Sequence, residues 1–371
     1  MPETTSVSRS GAFRAVGPAG FLDQIRVPRY AERTDLFDEI IAETHRHFWD
    51  PLDTAYIRFD EPFDMATETV MPASIVPELN SAVADRLTAE QRVWFANESA
   101  RWWLSSVLHG EQGALSLSAS LCHMLADPGV VEYAANQARE EARHVTAFSR
   151  YIHTRWGAPM PASDVLGGLL KELVDLTDVP RKIVGMQLLV EGLAMGIFAS
   201  LHSKSQDPVL RRLTQLVMTD EAFHHRAGKL WGRDALPMMD EKARNGVEDW
   251  AAQCFQILMF NMLHPSQKQA LYAPLGLDWE WVRDAMKESY TSDVRRAEMS
   301  ESTNVFRVLV KTLLHAGIIT DRTRPLYAQW VDLGALAGEG EGTVGDAIAA
   351  EGLEFLAGVN AARRSRHDTA A

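Results

Sequence analysis

The motif Glu-x-x-His occurs twice in this chain of 371 residues, at Glu141/His144 and at Glu221/His224. The chain has 12 histidines, and only these two follow a glutamate by three positions. Residues three positions apart lie on the same face of a helix, about one turn from each other. Each Glu/His pair can therefore bind one metal ion together.

Both motifs belong to a larger repeat. A further glutamate stands 30 residues before each motif, and an Asp-Pro pair lies between the two glutamates. The whole set recurs at an offset of 80 residues: Glu111/Glu191, Asp127/Asp207, Pro128/Pro208, Glu141/Glu221 and His144/His224. Asp is a good N-cap and Pro suits the first helical position, so each Asp-Pro pair predicts the turn of a helical hairpin.

The spacing around the turn brings the glutamates to the same height. Glu191 lies 16 residues before Asp207, and Glu221 lies 14 residues after it. At about 1.5 Å of rise per residue, these separations are about 24 and 21 Å along two antiparallel helices. The first hairpin has the same spacing. Two such hairpins packed together would place four glutamates and two histidines at one level of a four-helix bundle.

This set of residues favours a dinuclear metal site. Four carboxylates inside an apolar bundle would repel one another and would be costly to remove from water. Two metal cations offset that charge, and carboxylate with imidazole suits iron or manganese. A single Glu-x-x-His is usually a chance pattern on a helix face. Two of them, each with an upstream glutamate and an Asp-Pro turn, are not explained by chance.

The pattern over 88–232 resembles the ferritin-like di-iron carboxylate superfamily, in which two helices each give a Glu and two others each give Glu-x-x-His. The resemblance implies two iron ions, with a Mn/Fe pair as the alternative. It also implies these metal ligands: Glu111, Glu141, His144, Glu191, Glu221 and His224. The acids before the motifs stand where relatives have carboxylates that support the ligands, so we expect Asp220 to accept a hydrogen bond from His144 and Glu140 from His224.

The rest of the chain also reads as helical, which predicts an all-α protein: a ferritin-like four-helix bundle with additional N- and C-terminal helices. We divide it into an N-terminal arm and wrapping segment (1–87), the bundle (88–232), further helices packed on the bundle (233–363) and a disordered tail (364–371). Thr88 and Gln91 have capping-box form and open the first bundle helix. Beyond the bundle, helical stretches are expected near 240–264, 278–291, 301–316 and 344–363.

The subfamily stays open at this stage. More than 200 residues outside the bundle make a minimal storage ferritin or peroxide-scavenging protein the weaker interpretation. Radical-generating ribonucleotide reductase subunits usually have a tyrosine where this chain has Phe148. Multicomponent monooxygenases usually have a threonine where it has Met195, and arylamine N-oxygenases have an extra histidine where it has Val217. Acyl-carrier-protein desaturases have a longer first spacing.

Residues one turn from the ligands predict an apolar substrate pocket. The expected pocket residues are Leu115, Phe148, Met195 and Phe198, and the wider set of inward positions adds Val107, Leu108, Ala114, Leu188 and Ala194. Gln187, one turn before Glu191, is expected to hydrogen-bond a ligand or the substrate. Glycines beside the helix glutamates suggest either room for O2 and substrate or a local bulge in the helix.

Composition narrows the function further. A net charge of −13 argues against nucleic acid or an anionic membrane as the main partner. The two cysteines form no CxxC motif, which excludes an iron–sulfur cluster and a disulfide framework.

We expect a cytoplasmic O2-dependent oxidoreductase, of monooxygenase or N-oxygenase type, that acts on a small apolar or aromatic molecule. A separate electron-donor protein is expected, and a homodimer is allowed.

Overall fold

The computed structural model describes residues 13, 15, 17–262 and 264–370, with side chains described to 365. The described residues contain helices and no β-strand, so the all-α fold class is confirmed. The α-helices in chain order are α1 Phe21–Gln24, α2 Asp38–Arg46, α3 Ala89–Met124, α4 Pro128–Trp156, α5 Asp164–Asp175, α6 Val179–Val184, α7 Glu191–Lys204, α8 Pro208–Ala235, α9 Glu241–Asn261, α10 Gln269–Tyr272, α11 Trp279–Ser289, α12 Ser292–Ser300, α13 Val305–His315, α14 Arg324–Ala328, α15 Leu333–Gly338 and α16 Val344–Ala370.

Helices α3 and α4 form the first hairpin and pack against each other along much of their length. Thr88 caps α3 in a capping box with Gln91, because each side chain bonds the other residue's backbone N–H. Asp127 ends the turn by accepting hydrogen bonds from the backbone N–H groups of Gly129 and Val130. Gly157 closes α4 in the left-handed conformation, at φ 81°.

The second hairpin is α6–α7 with α8, and it contains a π-helical stretch. Residues Gly185–Val190 are π-helical and connect α6 to α7, so Glu191 is the first residue of the α-helix that follows. A π-bulge is frequent at functional sites because it moves the side chains after it around the helix axis. Asp207 caps α8 just as Asp127 caps α4.

Several elements differ from the sequence-based expectations. Helix α5 was not expected; Ser163 caps it, and it packs on α3. Helix α16 continues to Ala370, so the backbone is helical over most of the segment where we expected a disordered tail from 364 onward. Position 371 and most of the N-terminal arm over 1–20 lie outside the described residues.

The remaining segments surround the two hairpins. Helix α13 packs on α7, and α16 packs on α8. The segment before α3 also lies against the hairpins, since the Thr34 N–H donates to Asp127 and Val70 N–H donates to Asn97 on α3. Other segments therefore cover the outer faces of the helices in the two hairpins. The side chains between the hairpins are shielded from water.

Val179–Lys204 is, among the described residues, the one segment long and apolar enough to cross a membrane. An 18-residue window within it has a mean hydropathy of 1.7, and 72% of that window is buried inside the protein. Burial of that extent is typical of a core helix, which is consistent with a soluble protein.

Close packing between α8 and the π-helical stretch gives the first stability prediction. A Cβ added at Gly228 would overlap the backbone carbonyl oxygen of Gln187. We therefore expect Gly228→Ala to lower the free energy of unfolding by about 1–3 kcal/mol, measured by urea titration. The control is Gly168→Ala on α5, where nothing lies within 4 Å of the added Cβ. That variant should be neutral or slightly more stable, and equal stability of both variants would contradict the packing described here.

Candidate metal centre

The structure brings the six expected metal ligands together at one level of the two hairpins. All six side chains are buried, and the most exposed of them, Glu111, is 5% exposed. They form two groups in which one possible ligand atom per residue lies within 4.8 Å of the others. One group is Glu111, Glu141, His144 and Glu221; the other is Glu141, Glu191, Glu221 and His224.

Glu141 and Glu221 belong to both groups, so each can connect two metal ions. Nδ1 of His144 lies 3.3 Å from Glu141 Oε2 and 3.1 Å from Glu221 Oε1. Nδ1 of His224 lies 3.2 Å from Glu141 Oε1 and 3.3 Å from Glu221 Oε2. Each histidine therefore faces a different oxygen atom of the same two carboxylates, which is the arrangement of two sites with shared ligands.

The outer nitrogen of each imidazole points to an acid. His144 Nε2 lies 2.9 Å from Asp220 Oδ2, and His224 Nε2 lies 2.9 Å from Glu140 Oε2. Asp220 and Glu140 are fully buried. Each acid stands directly before the Glu-x-x-His motif of the other hairpin, so the two hairpins exchange these contacts. The pairing is the one expected from the sequence.

These contacts fix the side of each imidazole that faces inward. A carboxylate accepts hydrogen bonds, so the proton lies on Nε2 and the lone pair lies on Nδ1. Each Nδ1 lone pair then points at carboxylate oxygens, a contact that needs a second proton or a metal cation on Nδ1. Oε2 of Glu141 is buried and has no hydrogen-bond donor in the described structure. The donor set thus fits a pair of metal ions.

Ionisation of the site without metal supports the same conclusion. Burial raises the pKa of Glu111 well above its usual value. Burial and repulsion by Glu221 likewise raise the pKa of Glu191 well above its usual value. Burial disfavours the charged form of His144, but hydrogen bonds to Asp220 and the ligand glutamates raise its pKa well above normal. Without metal, protons on Glu111, Glu191 and the imidazoles therefore offset the charge of the cluster, and metal cations would have to replace these protons for all four glutamates to be ionised at neutral pH.

Asp220 is held by several groups besides His144. Its Oδ2 accepts from Trp49 Nε1 at 2.9 Å and from Arg143 at 2.6 Å. Arg143 is itself buried and also donates to the backbone carbonyl of Trp49 at 3.2 Å. Burial raises the pKa of Asp220, but attraction to Arg143 and the contacts with His144 and His47 outweigh burial and hold the pKa well below its usual value. The wrapping segment before α3 thus contributes directly to the support of His144.

Gln137 is a member of the site that the sequence analysis missed. Its side-chain amide donates to Glu191 at 2.7 Å and to Glu141 at 3.1 Å. Gln187 donates to Gln137 at 2.5 Å, and Tyr133 donates to Gln187 at 3.2 Å. Gln187 therefore reaches the ligands through Gln137 rather than directly. The signal was available, since Gln137 precedes Glu141 by four residues and must share its helix face.

A cavity of about 120 Å³ approaches the site from the glutamate side. It is bounded by α3, α5 and α7, with Leu258 and Met262 at the end of α9, and it contacts all four ligand glutamates. Other side chains that line it are mostly apolar or aromatic: Trp102, Trp103, Val107, Ala114, Leu166, Leu169, Leu170, Leu193, Ala194, Ile197 and Phe198. Neither ligand histidine is among the lining residues.

The cavity contains only part of the expected pocket. Of the wider set of inward positions, Val107, Ala114 and Ala194 line it, whereas Leu108 and Leu188 do not. Phe198 lines it, whereas Leu115, Phe148 and Met195 are not among its lining residues. Phe148 is fully buried and stacks on Phe198 at a centroid distance of 5.6 Å. Met195 packs instead near Gly345 of α16. The space extends towards α5, the helix that was not expected, and away from Met195 and Phe148.

Comparison with known proteins adds no family assignment. Neither a scan against protein-family models nor a search of curated proteins gives a match. The established description is therefore an all-helical protein with a buried cluster of glutamates and histidines that can hold metal ions.

Proposed function

We propose that this chain is a ferritin-like di-iron protein that uses O2 to oxidise a small apolar or aromatic molecule. The observation that carries the proposal is the pair of ligand groups sharing Glu141 and Glu221, next to an apolar cavity. A storage protein needs access for ions and has no need of an apolar space at its metal site. The cavity therefore favours an enzyme, of monooxygenase or N-oxygenase type.

The protein's part in such a reaction follows from the residues. Glu111, Glu141, Glu191 and Glu221 with His144 and His224 would hold two iron ions, which supply the reduction of O2 when bound. Asp220 and Glu140 hold the imidazole rings with Nδ1 inward. Gln137 holds one oxygen atom of Glu141 and one of Glu191. The apolar lining of the cavity excludes water and orients the substrate at the glutamates.

The reaction needs an outside reductant. In a hydroxylation, a C–H bond of the substrate becomes C–OH, one atom of O2 enters the product, and the other atom leaves as water. Two electrons and two protons complete the balance. The sequence has no rubredoxin-like cysteines. Gly340, Gly342 and Gly345 have the spacing G-x-G-x-x-G, but the described residues contain no β-strand before them, so they lack the context of a dinucleotide-binding site. We therefore assign the electrons to a separate electron-donor protein in the cytoplasm.

A radical-generating protein is the second candidate, and two chains of hydrogen bonds between an aromatic ring and the metal ligands favour it. Tyr133 connects through Gln187 and Gln137 to Glu141 and Glu191. Trp49 connects through Asp220 to His144. Either ring can be oxidised, and each is connected to the metal ligands by hydrogen bonds. A stable protein radical in the EPR spectrum after O2 exposure would favour this candidate over the oxygenase.

Substrate-dependent O2 consumption tests the proposed function. Iron-loaded protein with a chemical reductant should consume O2 faster with one class of compound from a panel of arenes, phenols, arylamines and alkanes. Mass spectrometry with ¹⁸O2 should show one labelled oxygen atom in the product. Zinc-loaded protein is the control, because Zn²⁺ fits similar ligands but has no redox chemistry. O2 uptake that no compound in the panel changes, with no labelled product, would contradict the proposal.

A further inference from the structure

The cavity beside the metal centre restricts what can bind there. We propose that its ligand is a neutral compound with a single aromatic ring, and that the ring lies between the tryptophans of α3 and Phe198 of α7. The inference deepens the proposed function, on which it rests for the fate of the ring after binding. The binding itself depends only on the shape and chemistry of the cavity.

Charge is the first restriction. The lining residues include no lysine, arginine or histidine, and the ionisable ones are the four ligand glutamates. A carboxylate or phosphate on the ligand would find no cationic side chain there, and the charge of two divalent metal ions would already be offset by the four glutamates. An ammonium group would also have to leave water without a partner other than the metal ligands. Burial of an unpaired charge is strongly unfavourable, so the part of the ligand inside the cavity is neutral.

Hydrogen bonding is the second restriction. The lining hydroxyl groups are Ser106 and Ser163, and each already makes one hydrogen bond within the protein. Ser106 donates to the backbone carbonyl of Trp102 at 3.0 Å. Ser163 caps α5 by accepting from the Leu166 N–H at 3.3 Å. A ligand with several polar groups would leave them unpaired, which lowers affinity.

Aromatic surface is the third feature, and it selects a ring over a saturated compound. Trp102 and Trp103 meet edge to face, with centroids 6.1 Å apart and planes at 90°. Phe198 is kept in place by its stack on Phe148. A ring placed among these groups meets both edges and faces of aromatic side chains. Aromatic pairs add enough beyond buried area to give roughly 2–12-fold tighter binding than a saturated ring of the same size.

Size and the glycine beside Glu111 give the last restriction. The cavity volume is about 120 Å³. Engineered apolar cavities of about 150 Å³ bind benzene, so this volume suits one six-membered ring with small substituents. Gly110 lines the cavity, and nothing lies within 4 Å of the position where its Cβ would be. A side chain at 110 would therefore extend into open space at the wall without meeting the protein.

Calorimetric binding to the zinc-loaded protein tests the inference without O2 chemistry. Toluene and aniline should bind, methylcyclohexane should bind roughly 2–12-fold more weakly than toluene, and benzoate should bind at least 10-fold more weakly. Gly110→Leu should lower toluene affinity at least 10-fold, with two zinc ions per chain retained. The matched control is Gly168→Leu, an exposed position of α5 outside the cavity, which should leave toluene affinity unchanged.

The outcomes separate this inference from the proposed function. Benzoate or methylcyclohexane binding as tightly as toluene, or unchanged toluene affinity in Gly110→Leu, would overturn the ligand class. Arene binding to the zinc protein supports the ligand class even if the iron protein consumes no O2 with any arene, and in that case only the proposed function fails. Labelled product formed from alkanes but not from arenes would support the oxygenase and overturn the ligand class.

Discussion

Replacing Glu141 with glutamine is expected to abolish the binding of both metal ions, because Glu141 belongs to both ligand groups. Loss of an outer hydrogen-bond partner alone weakens metal binding by roughly 10–100-fold, so loss of a shared ligand should cost more. Iron content per chain, measured by inductively coupled plasma mass spectrometry after anaerobic loading and desalting, should fall from two to below one. Far-UV circular dichroism should keep its helical signal.

Two companion variants make the result specific. His224 belongs to one group only, so His224→Ala should lose one iron ion and retain the other. Glu172→Gln changes an exposed glutamate on α5 and should retain both ions. Two ions per chain in Glu141→Gln, or equal losses in Glu141→Gln and His224→Ala, would show that Glu141 is not a shared ligand.

Asp220→Asn should lower both metal affinity and protein stability. Asp220 supports His144, so metal affinity should fall by roughly 10–100-fold. The substitution also leaves Arg143 buried without its anionic partner, at a distance that is now 2.6 Å. Breaking a buried ion pair from one side costs about 3–5 kcal/mol of unfolding free energy. Urea unfolding of the metal-free protein measures the second effect separately from the first.

Glu140→Gln is the matched comparison for this experiment. Glu140 supports His224 as Asp220 supports His144, but its cationic neighbour Arg139 is 48% exposed at the side chain and 3.6 Å away. We expect a similar fall in metal affinity with a smaller loss of stability, about 1–2 kcal/mol. Equal losses of unfolding free energy in the two variants would show that the buried Arg143–Asp220 ion pair adds no more stability than the exposed Arg139–Glu140 pair.

The local rules of helix capping account for what the sequence could predict. Thr88 with Gln91, Asp127 with Pro128 and Asp207 with Pro208 are strong start signals, and each helix begins where they indicate. Between such fixed ends, a helix places its side chains by rise and rotation alone. The 80-residue repeat was therefore sufficient to indicate that six ligands would meet at one level.

The full outline of the cavity could not be predicted because it depends on packing between distant segments. Helix α5 contains Gly167 and Gly168, which are poor helix formers, so its sequence gave a weak helical signal. Once α5 is placed on α3, the open space lies beside Gly110, Ala114 and Ala194. Met195 then faces away from it. The π-helical stretch before Glu191 agrees with the local bulge that the glycines beside the glutamates suggested, but its position over Gly185–Val190 could not be read from the sequence.

Anomalous X-ray diffraction from crystals of the iron-loaded protein, collected at the iron edge, tests the central claim most directly. The account predicts two peaks per chain, one among Glu111, Glu141, His144 and Glu221 and the other among Glu141, Glu191, Glu221 and His224. Ligand bonds to iron should refine to about 2.0–2.2 Å, as for comparable nitrogen and oxygen ligands of zinc. A single peak, no peak, or peaks bound by other side chains would contradict the dinuclear centre and the function proposed from it.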